Sequence, residues 1–283
     1  MSKLEQTKGM FKLVGKTNIE KIETKDFGWI QKTNMSVKTL KDNFVQVLFE
    51  SKNGKGMGVK VKGVDDKEAT KVNIDGAVDK LKTTFTNDSM VCVMGVTEYD
   101  SYNKKMTIKP SGVYSSNSDY DQDDFEETNF VEHDFIFSNY EGKKATVLYV
   151  SFFGEVSELE FSVSDELDED FKSFKYGDCL KVVYSIINKP NYVDDSSSNF
   201  VPKGKGVHNN GKRNIDGYIE DLIIVGLKDV IKSKYSRQEV RDAIEEFDKK
   251  QAEYKEQSKN KVETKKEDVN SNTTASEDDD LPY

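Results

Sequence analysis

Short runs of β-branched and aromatic residues, broken by Gly, Asn and Asp, fill the first 116 residues of this 283-residue chain. Runs of this length and composition predict strands. The predicted strands cover residues 10–17, 29–38, 44–51, 58–63, 90–97 and 106–114, and the last two form a hairpin around residues 98–105. One amphipathic helix is predicted over residues 75–85, where Ala77, Val78, Leu81 and Phe85 share a face. The pattern therefore predicts a mainly β fold.

The second half of the chain repeats this order of elements. Strands are predicted over residues 130–137, 145–153, 155–163, 179–187 and 217–226, and a short helix over residues 165–174. A long polar connection, residues 188–216, separates the last two strands. Several strands, one helix and a final hairpin are the element order of a five-stranded OB-fold barrel. We therefore predict two OB-like barrels in tandem, although the two halves share no evident sequence identity.

Five segments follow from this pattern. They are an N-terminal OB-fold domain (1–118), an acidic linker (119–129), a second OB-like domain (130–235), a helix (236–257) and a tail (258–283). Ser236 and Glu239 have the spacing of a capping box at the start of that helix. Hydrophobic residues nearly vanish after residue 257, so we predict a disordered acidic tail.

Charge is distributed unevenly along the chain. Residues 1–118 contain 20 Lys/Arg and 14 Asp/Glu, which gives +6. Residues 119–235 contain 13 and 24, which gives −11, and residues 236–283 contain 9 and 14, which gives −5. The total is −10, yet the first segment is basic and is the candidate for binding phosphates.

Composition narrows the classes of protein further. No run approaches the roughly 20 apolar residues that cross a bilayer, and the N-terminus has no apolar signal segment. Cys92 and Cys179 are isolated in apolar runs, which argues against a disulfide scaffold or a zinc cluster. These features predict a protein of a reducing cytoplasm, without a membrane partner.

Cations interleaved with aromatic rings in the basic segment predict binding of single-stranded nucleic acid, in which lysines contact phosphates and rings stack on bases. The residues that we predict to bind DNA are Phe27, Trp29, Lys32, Phe49, Lys52, Lys55, Lys60, Lys62, Tyr99, Tyr102, Lys104 and Lys105. Alternation along a strand places Phe44 and Phe49 on opposite faces, so at most one of them reaches DNA. Trp29 and Tyr102 are the rings most expected to be exposed. Basic loops at 51–58 and 202–213 either extend the DNA path or are idle surface turns.

Motifs for catalysis or for cofactors are incomplete. Gly206, Gly211 and Lys212 have the spacing of a phosphate-binding loop, but Arg213 replaces the Ser or Thr that holds magnesium, and a strand follows. Gly15, Lys16 and Thr17 lack the glycine five positions earlier.

Metal-binding and catalytic patterns are incomplete as well. The spacing of Asp119, Asp121 and Asp123 matches the first ligands of a calcium-binding loop, but the glycine and the final glutamate of such a loop are missing. His133 and His208 are far apart and have no nearby cysteine. We therefore predict no metal, no cofactor and no enzymatic activity.

The C-terminus carries the most specific motif of the chain. Glu277 precedes the tip Asp278, Asp279, Asp280, Leu281, Pro282 and Tyr283. This tip resembles that of the bacterial and phage single-stranded DNA-binding protein family, which ends in Asp-Asp-Asp-(Ile or Leu)-Pro-Phe after an OB barrel and a polar tether. Tyr283 keeps the ring of the terminal Phe and adds a hydroxyl. Residues 10–16 and 90–97 also resemble the first and fourth barrel strands of that family.

The resemblance implies that the chain binds single-stranded DNA without sequence preference, and that its tip recruits replication, recombination or repair proteins. It also implies homo-oligomers, although two barrels in one chain would need fewer subunits. The Lys/Asn-rich composition fits a phage of a Gram-positive host, whose cytoplasm would be the location. Two alternatives stay open: an acidic interaction protein that mimics DNA, and a metal-dependent nuclease that uses clustered carboxylates.

Overall fold

The computed structural model describes residues 4–28, 30–40, 42–52, 58–101, 103–118, 121–122, 125–193 and 214–269. The strands in this part of the chain are β1 (Gly9–Thr17), β2 (Glu23–Asp26), β3 (Ile30–Leu40), β4 (Asn43–Lys52), β5 (Val59–Lys62), β6 (Thr70–Val72), β7 (Ser89–Asp100), β8 (Lys105–Ser115), β9 (Asn129–Glu141), β10 (Lys144–Val150), β11 (Val156–Val163), β12 (Cys179–Val193) and β13 (Asn214–Ile231). The α-helices are α1 (Ile74–Thr84), α2 (Asp168–Ser173) and α3 (Arg237–Val269), and 3-10 helices span Ile19–Lys21 and Asp165–Leu167. The fold is mainly β, as the sequence predicts.

Strands of the N-terminal half close into one barrel. β1 pairs antiparallel with both β3 and β7, β3 pairs with β4, and β7 pairs with β8. β5 follows β4 in the chain and pairs parallel with β8, which completes the circuit. α1 comes between the third and fourth strands of this circuit and buries Ala77 and Leu81. This is the five-stranded OB arrangement, with β4 and β5 together in the place of the third strand. We call it the N-terminal barrel.

The second half forms a barrel with the same circuit. β9 pairs antiparallel with β10 and β12, β10 pairs with β11, and β12 pairs with β13. β11 pairs parallel with β13, as β5 does with β8. α2 again comes between the third and fourth strands. The prediction of two OB-like barrels in tandem is confirmed, and we call this one the C-terminal barrel.

The two barrels are joined edge to edge through their first strands. β1 pairs antiparallel with β9, and Gly9 lies opposite His133. A Cβ atom at position 9 would collide with the His133 ring and with Thr97 Oγ1, so only glycine fits there. The His133 ring is fully buried and stacks on Phe135, with 4.2 Å between ring centroids. Burial lowers the pKa of His133 to about 4.

A buried polar cluster makes a second connection between the barrels. The Asn43 amide donates to the backbone oxygen of Ile186 at 3.0 Å, and the Asn129 amide donates to the same oxygen at 2.6 Å. The backbone N–H of Asn188 donates to Asn43 Oδ1 at 2.8 Å. Thr39 and Asn43 also donate to Glu127 Oε1, at 2.8 and 3.3 Å. Because Asn43 and Asn129 are fully buried, these bonds fix β12 against the N-terminal barrel.

α3 begins with the predicted capping box and docks on the C-terminal barrel. The Ser236 N–H donates to Glu239 Oε2 at 2.8 Å, and the Glu239 N–H donates to Ser236 Oγ at 3.2 Å. Val240 is 1% exposed and packs with Leu4, Ile136, Leu148, Val150 and Tyr235 in a small cluster on the outer surface of β9 and β10. The first turns of α3 therefore cover part of this barrel.

The structure differs from the predicted elements in four places. β2 and β6 are short strands that the pattern did not reveal. β10 ends at Val150, and Ser151 then forms a turn in which its N–H bonds Glu155 O, so Phe152 and Phe153 are on a turn and not in a strand. β12 and β13 extend into the predicted polar connection, as far as Val193 and from Asn214.

The fourth difference is at the end of the last helix. α3 continues to Val269, beyond the predicted end at residue 257, because residues 258–269 are rich in the good helix formers Lys and Glu. In the described residues, no helix combines the length and the apolar character needed to cross a membrane.

Candidate nucleic-acid interface

The outer surface of β3 and β4 is polar and basic over most of its length. Lys32, Asn34, Ser36 and Lys38 of β3 lie directly opposite Glu50, Leu48, Gln46 and Phe44 of β4. These residues alternate with buried ones, so all eight face outward. Successive rows are about 7 Å apart, which gives a strip roughly 20 Å long. We call it the β3–β4 face; in OB folds the second and third strands form the face that binds oligonucleotides.

A groove with a volume of about 680 Å³ lies at the Lys38 end of this face, between the two barrels. The N-terminal barrel lines it with Lys16, Thr17, Asn18, Lys21, Asn34, Ser36, Lys38, Phe44, Gln46 and Asp88, and the C-terminal barrel lines it with Asn188, Tyr218 and Glu220. Phe44 is partly exposed and Tyr218 is 59% exposed. This inter-barrel groove therefore combines lysines, neutral polar groups and two accessible rings.

The charges of the inter-barrel groove are not symmetric. Lys16, Lys21 and Lys38 all come from the N-terminal barrel. Lys38 Nζ lies 5.7 Å from the centre of the Phe44 ring, and Lys16 Nζ lies 2.6 Å from Asp121 Oδ2 in a partly exposed ion pair. The C-terminal barrel contributes the carboxylate of Glu220 instead. Among the described lining residues the N-terminal wall has three lysines and one carboxylate, Asp88, whereas the C-terminal wall has a carboxylate and no lysine.

Three lysines surround one carboxylate at the other end of the β3–β4 face. Glu50 lies 3.6 Å from Lys32, 3.7 Å from Lys52 and 4.0 Å from Lys109. Lys109 also pairs with Glu98 at 2.6 Å. The Glu50 side chain is only 14% exposed, whereas those of Lys32 and Lys52 are 35% and 60% exposed, so these two lysines can also reach a phosphate from solvent.

A second depression, about 590 Å³ in volume, continues from the inter-barrel groove towards the β7–β8 hairpin. Asn34, Gln46, Asn188 and Glu220 line both, so the two form one path along the β3–β4 face. Tyr99, Lys104 and Lys105 line the hairpin side of the second depression. Glu158, Glu160 and Asp221 of the C-terminal barrel line the other side, with Lys144 beside them. The asymmetry of charge therefore continues along the path.

Apart from Phe49, the described members of the predicted DNA-binding set lie on four parts of the surface of the N-terminal barrel. Lys32 and Lys52 lie on the β3–β4 face, and Tyr99, Lys104 and Lys105 line the second depression. Lys60 and Lys62 lie on the outer surface of β5, away from both depressions. Phe27 is 57% exposed at the turn between β2 and β3. Gly28 allows that turn with a φ of 82°, and its N–H bonds Asp26 Oδ1 at 2.8 Å.

Tyr99 is less accessible than the sequence suggests. Its ring is 5.8 Å from the Tyr149 ring of the C-terminal barrel, in a tilted arrangement. Burial is the main cause that raises the pKa of Tyr99, and the nearby Glu155 and Asp100 carboxylates add to it. Tyr99 therefore contributes to the contact between the barrels as well as to the depression.

Phe49 corrects the sequence prediction. The expectation that Phe44 and Phe49 face opposite sides of β4 is right, but the inward ring is Phe49, which is 1% exposed and packs in the core. Phe44 is the ring on the β3–β4 face. Alternation alone defines two faces and does not say which of them is inside.

Some predicted site residues lie outside the described residues. These are Trp29, Lys55, Tyr102, most of both basic loops, and the tip residues Asp278, Asp279, Asp280, Leu281, Pro282 and Tyr283.

The structure also adds residues to the interface. Lys16, Lys21 and Lys38 line the inter-barrel groove with Phe44 and Tyr218, and none of the five is in the predicted set. Lys38 and Phe44 could have been identified from the sequence, because a lysine paired with a ring across two strands indicates that this face of the sheet is exposed. Tyr218 could not have been identified in this way, since its place in the groove depends on how the barrels are joined.

Of the weak motifs, those that lie within the described residues do not form other sites. Gly15, Lys16 and Thr17 lie within strand β1 and not in a loop that opens a helix, so they do not form a phosphate-binding loop. His133 is buried in the contact between the barrels. Within the described residues, no group of three His, Cys, Asp or Glu is placed to hold a metal ion.

No protein-family model and no curated protein matches this sequence. Among solved structures, the chain is similar to the wild-type single-stranded DNA-binding protein from Thermus aquaticus, with 10% identity and a TM-score of 0.41, over 82% of this chain and 97% of that chain. A deletion mutant of the same Thermus aquaticus protein matches with the same values. The OB assignment depends on the strand pairings and not on this similarity.

Proposed function

We propose that this protein binds single-stranded DNA with little sequence preference, without enzymatic activity, and serves DNA replication, recombination or repair in a bacterial cytoplasm. In this proposal residues 1–118 form the DNA-binding domain, residues 119–129 connect it to a second OB-like domain at 130–235, and residues 236–283 lead from α3 to the recruiting tip.

One observation carries the proposal: the β3–β4 face and its groove combine cations with an accessible ring on the OB surface that binds oligonucleotides. Lys16, Lys21 and Lys38 can contact phosphates, and the Phe44 ring can stack on a base. The next pair along the face, Ser36 and Gln46, is neutral. A single strand exposes both its phosphates and the faces of its bases, so it can satisfy both sets at once. Stacking is tolerant of sequence because every base has a π face.

The first test compares Phe44, which is partly exposed on the β3–β4 face, with a phenylalanine exposed elsewhere. Phe44→Ala should weaken binding of the full chain to a dT oligonucleotide by about 5-fold to 150-fold, the range for one lost stack. Phe153→Ala is the control, because Phe153 is 83% exposed on a turn of the C-terminal barrel, outside both depressions. Fluorescence anisotropy gives both affinities. If both variants lose affinity equally, or if Phe44→Ala loses none, the β3–β4 face is not the DNA-binding surface.

Salt and duplex controls separate the proposal from its two alternatives. Affinity for dT should fall steeply with salt, by roughly 0.7 in log-log slope for each phosphate contacted, and should exceed affinity for a duplex of the same length. An interaction protein that mimics DNA would bind no oligonucleotide even at low salt. A nuclease would shorten the oligonucleotide when magnesium is added, whereas we expect its length to be unchanged.

The acidic tip supports a recruiting role. Three carboxylates before Leu281, Pro282 and Tyr283 offer a partner a charged rim and a terminal ring for a pocket. Deletion of residues 278–283 should leave DNA affinity equal or higher while abolishing capture of replication or repair proteins. Weaker DNA binding after this deletion would show that the tip contributes to the DNA site itself.

A further inference from the structure

The C-terminal barrel sends a two-stranded arm alongside the β3–β4 face. The arm consists of residues 186–193 of β12 and 214–222 of β13, which pair antiparallel. Within it Tyr218 pairs with Pro190 and Glu220 pairs with Asn188. Tyr218, Glu220 and Asn188 face the inter-barrel groove, whereas Ile219 is 53% exposed between the two β13 residues and is not among the groove residues.

The arm is held in place and does not merely lie near the groove. Asn43 and Asn129 bind the Ile186 oxygen at 3.0 and 2.6 Å, and Asn43 also accepts from the Asn188 N–H at 2.8 Å. Both side chains are fully buried, so breaking these bonds would remove hydrogen bonds that water cannot readily replace. The position of Tyr218 relative to Phe44 is therefore set by the fold before any ligand arrives.

The two walls of the path present different chemistry to a nucleic acid. The wall from the N-terminal barrel has Lys16, Lys21 and Lys38 with one carboxylate, Asp88, around the inter-barrel groove, and Lys104 and Lys105 farther along. The wall from the C-terminal barrel has Glu220 in both depressions, and Glu158, Glu160 and Asp221 line its continuation with a single lysine, Lys144. Phosphates are attracted to the first wall and repelled by the second.

We infer that the arm is the second wall of the DNA site, in which Tyr218 stacks on a base and Glu220 keeps the phosphates on the lysine-bearing wall. This inference rests on the proposed binding of single-stranded DNA. A single strand in this groove has its phosphates on one side, and its bases then point towards Phe44 and Tyr218. The acidic half of the chain thus takes part in binding DNA despite its net charge.

The same asymmetry selects against duplex DNA. A duplex has a phosphate backbone on each edge and encloses the faces of its bases. One of its two backbones would have to lie against Glu220 and its acidic neighbours, and no base face would be available to Tyr218. The arm therefore acts as a determinant of specificity for single strands.

Four variants of the full chain test the inference by anisotropy on a 20-nucleotide dT strand and a 20-base-pair duplex. Tyr218→Ala should weaken binding of the single strand by about 5-fold to 150-fold, and Tyr218→Phe should keep the affinity because the ring remains. Ile219→Ala, on the opposite face of β13, is the matched control and should change nothing. Glu220→Gln should raise duplex affinity by about 5-fold, the effect of one removed repulsion at close range, and single-strand affinity by less.

The outcomes separate this inference from the proposed function. Unchanged affinity for Tyr218→Ala, in a chain whose binding is still weakened by Phe44→Ala, would overturn the second wall and leave the proposed function standing. An equal loss for Tyr218→Ala and Ile219→Ala would also overturn it. No binding of dT by the wild-type chain would overturn both. An unchanged preference for single strands in Glu220→Gln would overturn the role of Glu220.

Discussion

The two barrels share one strand circuit but present different surfaces at corresponding positions. On the N-terminal barrel the second and third strands carry Lys32, Lys38 and Phe44 on their outer face. On the C-terminal barrel the corresponding strands are β10 and β11, which carry Thr146 opposite Glu160. One face is basic with an accessible ring, and the other has an exposed carboxylate.

The two barrels also differ in whether the outer face of the second strand is covered by other parts of the chain. The outer residues Leu148 and Val150 of β10 are buried beneath Leu4, Tyr235 and Val240, where α3 begins. The β3–β4 face instead opens to the two depressions. The OB circuit therefore provides only the shape of a face, and charge, rings and packing decide whether a ligand can bind to it.

The largest effect is expected at the contact between the barrels, where His133 is buried opposite Gly9. The folded chain holds the pKa of His133 at about 4, against 6.5 ordinarily. Above pH 6.5 the side chain is neutral in both states. As the pH falls from 6.5 to 4, the unfolded chain takes up a proton that the folded chain refuses, so stability is lost. The full loss is about 3 kcal/mol.

Urea denaturation between pH 7 and pH 4 measures this loss. His133→Phe keeps a stacking ring and removes the titration, so its free energy of unfolding should fall by about 3 kcal/mol less than that of the wild type over this range. Parallel curves for the two proteins would show that His133 titrates normally and that acid does not act on this contact.

The second effect tests the contrast of charge directly. Lys32→Ala with Lys38→Ala removes two candidate phosphate contacts, each of about 1 kcal/mol in water, so affinity for dT should fall roughly 30-fold at low salt. The slope of log affinity against log salt should decrease by about 1.4.

The matched pair is Lys181→Ala with Lys228→Ala on the C-terminal barrel. Lys181 lies 3.6 Å from Glu132, Lys228 pairs with the same carboxylate, and neither lysine lines the two depressions. Both lysines have acidic neighbours, so we expect affinity for dT to change by less than about 3-fold, which is within the energy of one surface ion pair. The slope of log affinity against log salt should stay the same. Similar losses from both double variants would mean that the barrels attract DNA only through total charge.

The fold could be predicted from sequence because its signals are local. Alternation in β1, β4 and β7 reveals the strands, and the periodicity of Ala77 and Leu81 reveals α1. β2 and β6 have four and three residues, too few for alternation to be read. The turn at Phe152 and Phe153 looks like strand because two aromatic residues favour strands wherever packing allows them.

The candidate interface could be predicted only in part, because much of it depends on contacts between distant residues. Lys32, Lys104 and Lys105 were identifiable from the basic composition of the first segment. Tyr218 was not, because its place in the groove follows from the bonds of Asn43 and Asn129 to Ile186, more than 50 residues away in each case. Phe49 was misassigned because alternation does not distinguish inside from outside.

The smallest effect is expected from loosening the start of α3, which covers part of the C-terminal barrel. Ser236→Ala removes the side chain that accepts from the Glu239 N–H and should destabilise α3 by about 1 kcal/mol. That corresponds to roughly 2 to 4 °C in Tm for a chain of this size, with faster hydrogen exchange in the first turns of α3. Affinity for dT should stay unchanged, because loosening α3 uncovers Leu148 and Val150, which offer a phosphate no cation. A gain in affinity would mean that the cover, and not the charge, keeps DNA from the C-terminal barrel.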